Sequence, residues 1–272
     1  MEKVTRDGVT LAYEDVGRGE PPLVFIHGWT CDHTYFAPQV EYFSRDHRTI
    51  AVDLRGHGES DKPEQSYTME GFADDVAWLC GQLGVTKPVV IGHSMGGTVA
   101  LALAIGHPAL PAAIVAIDAP WFAPQSVRDL EPGLTEAFKG PQYREAQRQV
   151  VRDAFFLPCD DQQRRDRIAD HMSSAPQHVM LSAWEHAWGF DTAGALAALG
   201  VPALYIGGSA PLGPDGTSAA LGTLEAIRAQ NPRVVIGQTV GAGHFNQLDA
   251  ADQVNAMIAR FLATTLPVPT AR

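Results

Sequence analysis

The sequence predicts an α/β fold built on a mostly parallel central sheet flanked by helices, and three observations carry that prediction. Short apolar runs bounded by Gly, Pro or Asp alternate with longer segments of helical pattern, the order of strands and crossover helices in a parallel sheet. Val, Ile and Leu dominate the short runs, as strands covered on both faces require. One long stretch, Ala119 to Asp191, interrupts the alternation and holds no strand-like run.

Taken in chain order, Val9 to Glu14 is expected to pair with the segment around Val4 as an antiparallel edge hairpin. The expected parallel strands are Leu23 to Ile26, Thr49 to Asp53, Val89 to Gly92, Ala113 to Asp118, Ala203 to Gly207 and Val234 to Val240. Helices are expected at Met69 to Leu83, Met95 to His107, Thr217 to Gln230 and Ala251 to Leu262. The interrupting stretch is rich in Arg, Gln and Asp and carries Trp121, Phe122, Phe138, Phe155, Phe156, Trp184 and Trp188. It leaves from the strand ending at Asp118, so it is expected to lie as a helical cap over the C-terminal edge of the sheet, where open α/β folds bind ligands. Its alternative is a peripheral appendage with its aromatics packed inward. The expected organisation is a core of residues 1–118 and 192–266, a cap of residues 119–191 and a frayed tail, 267–272.

At 272 residues, 45% of them hydrophobic and 19% charged, the chain has the composition of one compact domain with a sizeable core. The net charge of −11, with no basic stripe, argues against nucleic acid and anionic membrane surfaces as partners and favours a neutral small molecule. Cys31, Cys80 and Cys159 lack metal-site or redox spacing and are expected to be buried free thiols. The charged N-terminus resembles no signal peptide and no run approaches the length of a membrane span, so the expected location is the cytoplasm, as a monomer or homodimer.

The strongest chemical motif is Gly92-His93-Ser94-Met95-Gly96, set between an expected strand and an expected helix. A sharp turn there would hold Ser94 in a strained conformation, and the glycines would remove Cβ atoms that collide with neighbouring elements. The Met95 backbone N–H, at the positive end of the helix dipole, would face a developing oxyanion. His244 follows the last expected strand in the glycine-rich turn Gly241-Ala242-Gly243, which frees its imidazole to reach Ser94.

With His27-Gly28-Trp29, Asp53-Leu54-Arg55-Gly56-His57-Gly58-Glu59-Ser60, Gly92 to Gly97 and Gly241 to Phe245 in this order, the chain resembles the α/β-hydrolase family from about Leu23 to Leu262. The resemblance implies Ser94 as nucleophile, His244 as its base, and the Trp29 backbone N–H as a second oxyanion donor beside Met95. His27 and His57 are expected to brace their loops. In most relatives the acid ends the strand equivalent to Ala203 to Gly207, but here Gly208 is followed by Ser209-Ala210-Pro211. Two candidates remain open. Asp118 ends the strand after the nucleophile, where some branches such as zearalenone lactonases place their acid, and Asp215 precedes His244 at a normal separation for the usual acid. Asp118 is preferred because a strand end fixes a carboxylate more rigidly than a Gly/Pro-rich loop.

These residues imply hydrolysis of a carboxylic ester or lactone through an acyl-enzyme, with no metal or organic cofactor. The expected substrate is small and apolar or aromatic, contacted by Trp29, His93, Trp121, Phe122, Trp184, Trp188 and Phe245. A cofactor-independent dioxygenase, a carbon–carbon bond hydrolase and a slow-turnover ligand receptor use the same scaffold and remain alternatives.

Overall fold

A computed structural model describes residues 1–209 and 219–266. The strands are β1 (Glu2–Arg6), β2 (Val9–Val16), β3 (Leu23–Ile26), β4 (Thr49–Asp53), β5 (Val89–His93), β6 (Ala113–Ile117), β7 (Ala203–Gly207) and β8 (Val235–Gln238). They form one sheet in the order β1-β2-β4-β3-β5-β6-β7-β8. β1 pairs with β2 and β2 with β4 antiparallel, and every other pair is parallel. The hairpin register sets Val4 opposite Leu11.

The helices are α1 (Ala37–Phe43), α2 (Met69–Gln82), α3 (Met95–Gly106), α4 (Gln125–Arg128), α5 (Glu131–Lys139), α6 (Tyr143–Ala154), α7 (Gln162–Met172), α8 (Gln177–Gly189), α9 (Thr192–Ala198), α10 (Ala219–Gln230), α11 (Asn246–Asp249) and α12 (Ala251–Thr265). α4 to α9 all lie between β6 and β7, where the sequence offers no strand-like run. None of the helices described is long and apolar enough to cross a membrane.

Strand alternation sorts the core into two layers. Leu23, Phe25, Val89, Ile91, Val115 and Ile206 face α1 and α12 and pack on Val40, Ile258 and Phe261. Val24, Ile26, Val52, Val90, Ile114 and Tyr205 face the opposite side, with α2, α3 and the aromatics of the β6–β7 segment. β8 departs from the expected two-sided burial. It is an edge strand shorter than the run Val234 to Val240, paired only with β7, and Val235 and Val240 are exposed. The thiols also depart in part from expectation: Cys31 and Cys80 are buried, but Cys159 is exposed in the connection between α6 and α7.

The sheet order reverses at β3, since the chain goes to β4 on one side and then to β5 on the other. Loops leaving β3 and β5 therefore diverge and open a crevice at their C-terminal ends. Close packing there depends on missing side chains. A Cβ on Gly96 would collide with the backbone carbonyls of Ile26 and His27, and one on Gly92 with the Gly96 backbone. Backbone cannot yield as a side-chain tip does. Gly96→Ala is expected to lower stability by about 3 kcal/mol or more, read as a shift in the urea midpoint at unchanged m-value, whereas Gly106→Ala, with open space around it, should leave the midpoint in place.

Candidate active site

Ser94 links β5 directly to α3 at φ +53°, ψ −124°, a region that a residue with a side chain enters only under constraint. Its N–H is held by the Ile117 carbonyl of β6 at 2.8 Å, and its carbonyl accepts the Gly97 N–H at 2.9 Å. The hydroxyl thereby stands above the sheet edge. His244, 150 residues away in sequence, approaches it with Nε2 at 2.9 Å from Ser94 Oγ. On the other side of the ring, Nδ1 lies 2.7 Å from Asp118 Oδ2. The carboxylate can only accept there, so Nδ1 carries the proton and Nε2 presents a lone pair to the hydroxyl.

Asp118 follows β6 at φ +44° and is held by two backbone bonds. Its N–H donates to the Ile206 carbonyl at 2.8 Å, and its Oδ1 accepts the Gly208 N–H at 2.7 Å. The alternative, Asp215, lies outside the described residues. His244 is also fixed by its backbone, whose N–H donates to the Phe155 carbonyl at 3.0 Å. Its carbonyl accepts the Nε2–H of His93 at 2.8 Å.

Two backbone donors stand nearby. Among the described residues neither the Trp29 N–H, in the turn after β3, nor the Met95 N–H, in the first turn of α3, donates a hydrogen bond. The Trp29 turn is closed by the Cys31 N–H on the Gly28 carbonyl at 3.2 Å. Its indole Nε1–H is anchored to the Met180 carbonyl of α8 at 2.8 Å.

Ser94, Met95, Trp29 and His244 open into a cavity of about 370 Å³. The remaining walls come from the β6–β7 segment: Trp121, Phe122, Leu134, Phe155, Trp184 and Trp188 are prominent among them. Five of the seven residues expected to contact substrate therefore line it, namely Trp29, Trp121, Phe122, Trp184 and Trp188. The other two do not. His93 and Phe245 are wholly buried and absent from the lining. β5 alternation turns His93 under the loop that carries His244, and Phe245 packs inward against Tyr35, Phe155 and Phe156. Phe155, whose ring lies 4.5 Å from that of His244, is a site residue that the sequence does not mark, because nothing distinguishes it there from the other aromatics of its segment.

Three imidazoles are buried in the loops after β3 and β4 and at the end of β5, and burial holds each below the ordinary histidine range. His27 donates from Nδ1 to the Gly28 carbonyl and accepts the Leu54 N–H at Nε2, so it braces the loop after β3. His57 donates to the Arg55 carbonyl and is pushed down to about 3. His93 is held well below its usual value by burial and then by the neighbouring His244. Among the described residues no group of His, Cys, Asp and Glu is arranged to hold a metal ion.

With this geometry in place, comparison with known proteins assigns the class. Residues 21–251 match a family model described as alpha/beta hydrolase fold, and the chain belongs to that family. Over 124 residues it is 38% identical to 2-(acetamidomethylene)succinate hydrolase of Mesorhizobium japonicum, covering 45% of this chain and 44% of that protein. It is 40% identical over 104 residues to the AB hydrolase superfamily protein YisY of Bacillus subtilis, 38% of each chain. These matches span less than half the length of the curated relatives. Across 97% of this chain and 99% of the other, the fold superposes on a thermophilic esterase from Thermogutta terrifontis with a TM-score of 0.83 and 26% identity.

The depressed histidines give a stability slope of definite sign. Below about pH 6.5 the unfolded chain binds protons at His27, His57 and His93 that the folded chain refuses, so stability falls with pH by up to about 1.4 kcal/mol per unit for each of them. His33 acts oppositely: its hydrogen bond to Asp53 raises it, so its contribution is present at low pH and fades as pH rises through the raised value. The urea midpoint is expected to drop between pH 7 and pH 4, and His57→Asn, which keeps a donor for Arg55, to flatten the slope. A midpoint constant over that range would contradict burial of neutral imidazoles.

Proposed function

We propose that this protein is a serine hydrolase that cleaves carboxylic esters or lactones through an acyl-enzyme on Ser94. The observation that carries the reading is the continuous relay from Asp118 Oδ2 through His244 to Ser94 Oγ, ending at an apolar cavity beside two free backbone donors. In this reading His244 Nε2 takes the Ser94 proton as Oγ attacks the carbonyl, and the Asp118 carboxylate stabilises the imidazolium that forms. The Trp29 and Met95 N–H groups receive the oxyanion, where loss of one such donor typically costs roughly 3 to 4 kcal/mol of barrier lowering. His244 then protonates the departing alcohol, and water, deprotonated by the same ring, releases the acid.

A hydroxyl at position 94, where alkyl-enzyme chemistry needs a carboxylate nucleophile, favours acyl transfer over epoxide opening. The cavity walls favour an apolar or aromatic acyl or alcohol group. Trp29, Trp184 and Trp188 pack in sequence, with ring centroids 5.0 Å and 5.5 Å apart, and present flat apolar area with few polar atoms. The helical segment between β6 and β7 is then a cap that shapes the substrate site, and likeness to a solved esterase over nearly the whole chain supports the same chemistry.

On a panel of p-nitrophenyl esters and lactones, Ser94→Ala is expected to abolish turnover, and Asp118→Asn to lower kcat by about 10³- to 10⁴-fold because the imidazole loses its tautomer and its counter-charge. Wild-type-like turnover by Ser94→Ala would remove the basis of the reading. Trp188→Ala is expected to shift preference toward longer acyl chains by roughly tenfold in kcat/KM ratio, the scale of one or two methylenes of pocket space. An unchanged chain-length profile would mean that Trp188 packs the segment without touching substrate.

A further inference from the structure

The loop after β3 is held from above as well as from below. Thr30, next to the Trp29 donor, sits at φ +52°, a conformation that a β-branched residue adopts only when its surroundings force it. Its Oγ1 accepts a hydrogen bond of 2.8 Å from Gln147 Nε2, across 117 residues of chain. Gln147 belongs to α6 and is completely buried, and its Oε1 has no hydrogen-bond partner among the described residues. A buried amide with one end unsatisfied contributes little net stability, because the unpaired Oε1 sets its desolvation cost against the one bond to Thr30.

The same helix reaches the other half of the site. Its C-cap, Phe155, gives its carbonyl to the His244 N–H and lays its ring against the imidazole. Eight residues of helix, about 12 Å of rigid rod, therefore separate a clamp on the loop after β3 from a clamp on the loop after β8. Between the clamps Val150 and Ala154 line the cavity.

We infer that α6 is the strut that sets the oxyanion donor against the base, and that Gln147 is a positioning residue for the Trp29 N–H, acting through Thr30. This rests on the proposed reading of Ser94, His244 and Trp29. Its consequence is that the segment between β6 and β7, which walls the cavity, also holds the oxyanion donor and the base in register.

The hydrogen bond can be removed from either end, with Gln147→Met or with Thr30→Val, while Thr30→Ser keeps the acceptor. On an ester that the wild type turns over, Gln147→Met and Thr30→Val are expected to lose roughly tenfold or more in kcat, short of the hundredfold or greater loss from deleting an oxyanion donor outright. KM should stay within about threefold, because the donor acts on the transition state rather than on bound substrate. Affinity for a trifluoromethyl ketone, which forms an anionic adduct with Ser94, should fall by the same factor as kcat, and affinity for the matching alcohol should not. Thr30→Ser should retain most activity, and the melting temperature of Gln147→Met should change little, because loss of the unpaired Oε1 offsets loss of the donor to Thr30 Oγ1. If one variant does not fold, the other carries the test. Wild-type kcat and ketone affinity in a folded Gln147→Met or Thr30→Val, beside an inactive Ser94→Ala, would overturn this inference alone; an active Ser94→Ala would overturn the reading beneath it.

Discussion

The turn at Ser94 is the constraint on which the rest of the structure depends. A non-glycine residue at φ +53° is held there only if its neighbours over-determine it. Here β6 fixes its N–H, the first turn of α3 fixes its carbonyl, and the missing side chains at Gly92 and Gly96 let α3 start within contact of β3. Five non-glycine residues among those described have positive φ, and three of them, Thr30, Ser94 and Asp118, stand at the ends of adjacent strands around one crevice. The sheet is what holds them. Each lies one step beyond a strand or its following turn, where a ladder of parallel hydrogen bonds fixes direction but no longer fixes dihedral angles.

Charge in this region is managed by burial. The chain carries a net charge of −11, yet apart from the Asp118 carboxylate the groups packed on the His244 ring, namely His93, Phe155 and Phe245, are neutral. His93 lies 4.8 Å from it, ring to ring, and a proton there would repel any positive charge on His244. Complete burial keeps that proton off, and the one side-chain bond that His93 makes among the described residues is a donation to the carbonyl of His244 itself. The side chain one place before Ser94 thus serves as a prop under the base loop. Its ring is unavailable to anything in the cavity.

How much of this was legible in the sequence follows from how local each feature is. The buried strands were legible because a parallel sheet needs continuous apolar runs, and Leu23 to Ile26, Thr49 to Asp53 and Ala203 to Gly207 have the expected bounds. The Ser94 turn and the glycine-rich turn before His244 were legible because only certain residues tolerate those backbones. β8 was overestimated, because Val and Ile also occur on an edge strand whose outer side is left open. His93 and Phe245 stand next to Ser94 and His244 in sequence but not in the cavity, because strand and loop geometry turn neighbours in opposite directions. The role of α6 was not legible at all. Gln147 and Thr30 meet across 117 residues, and no periodicity or motif marks either one.

The carboxylate that faces His244 illustrates how a fold redistributes one requirement among neighbouring strands. The run that follows β7, Gly208-Ser209-Ala210-Pro211, carries no acid. A Cβ at that position would press on the Gly243 carbonyl and come within 3.3 Å of Asp118 Oδ1, so no larger residue fits beside the base loop as it is built. What β7 supplies instead is the Gly208 N–H, donated to Asp118 Oδ1 at 2.7 Å, leaving Oδ2 aimed at the imidazole. β6 contributes the charge and β7 contributes the dipole that orients it. Because the two strands are hydrogen-bonded neighbours, Asp118 is fixed by the same ladder that fixes Ser94, and the loop after β8, held by Phe155 and His93, brings the imidazole to a carboxylate whose place the sheet sets.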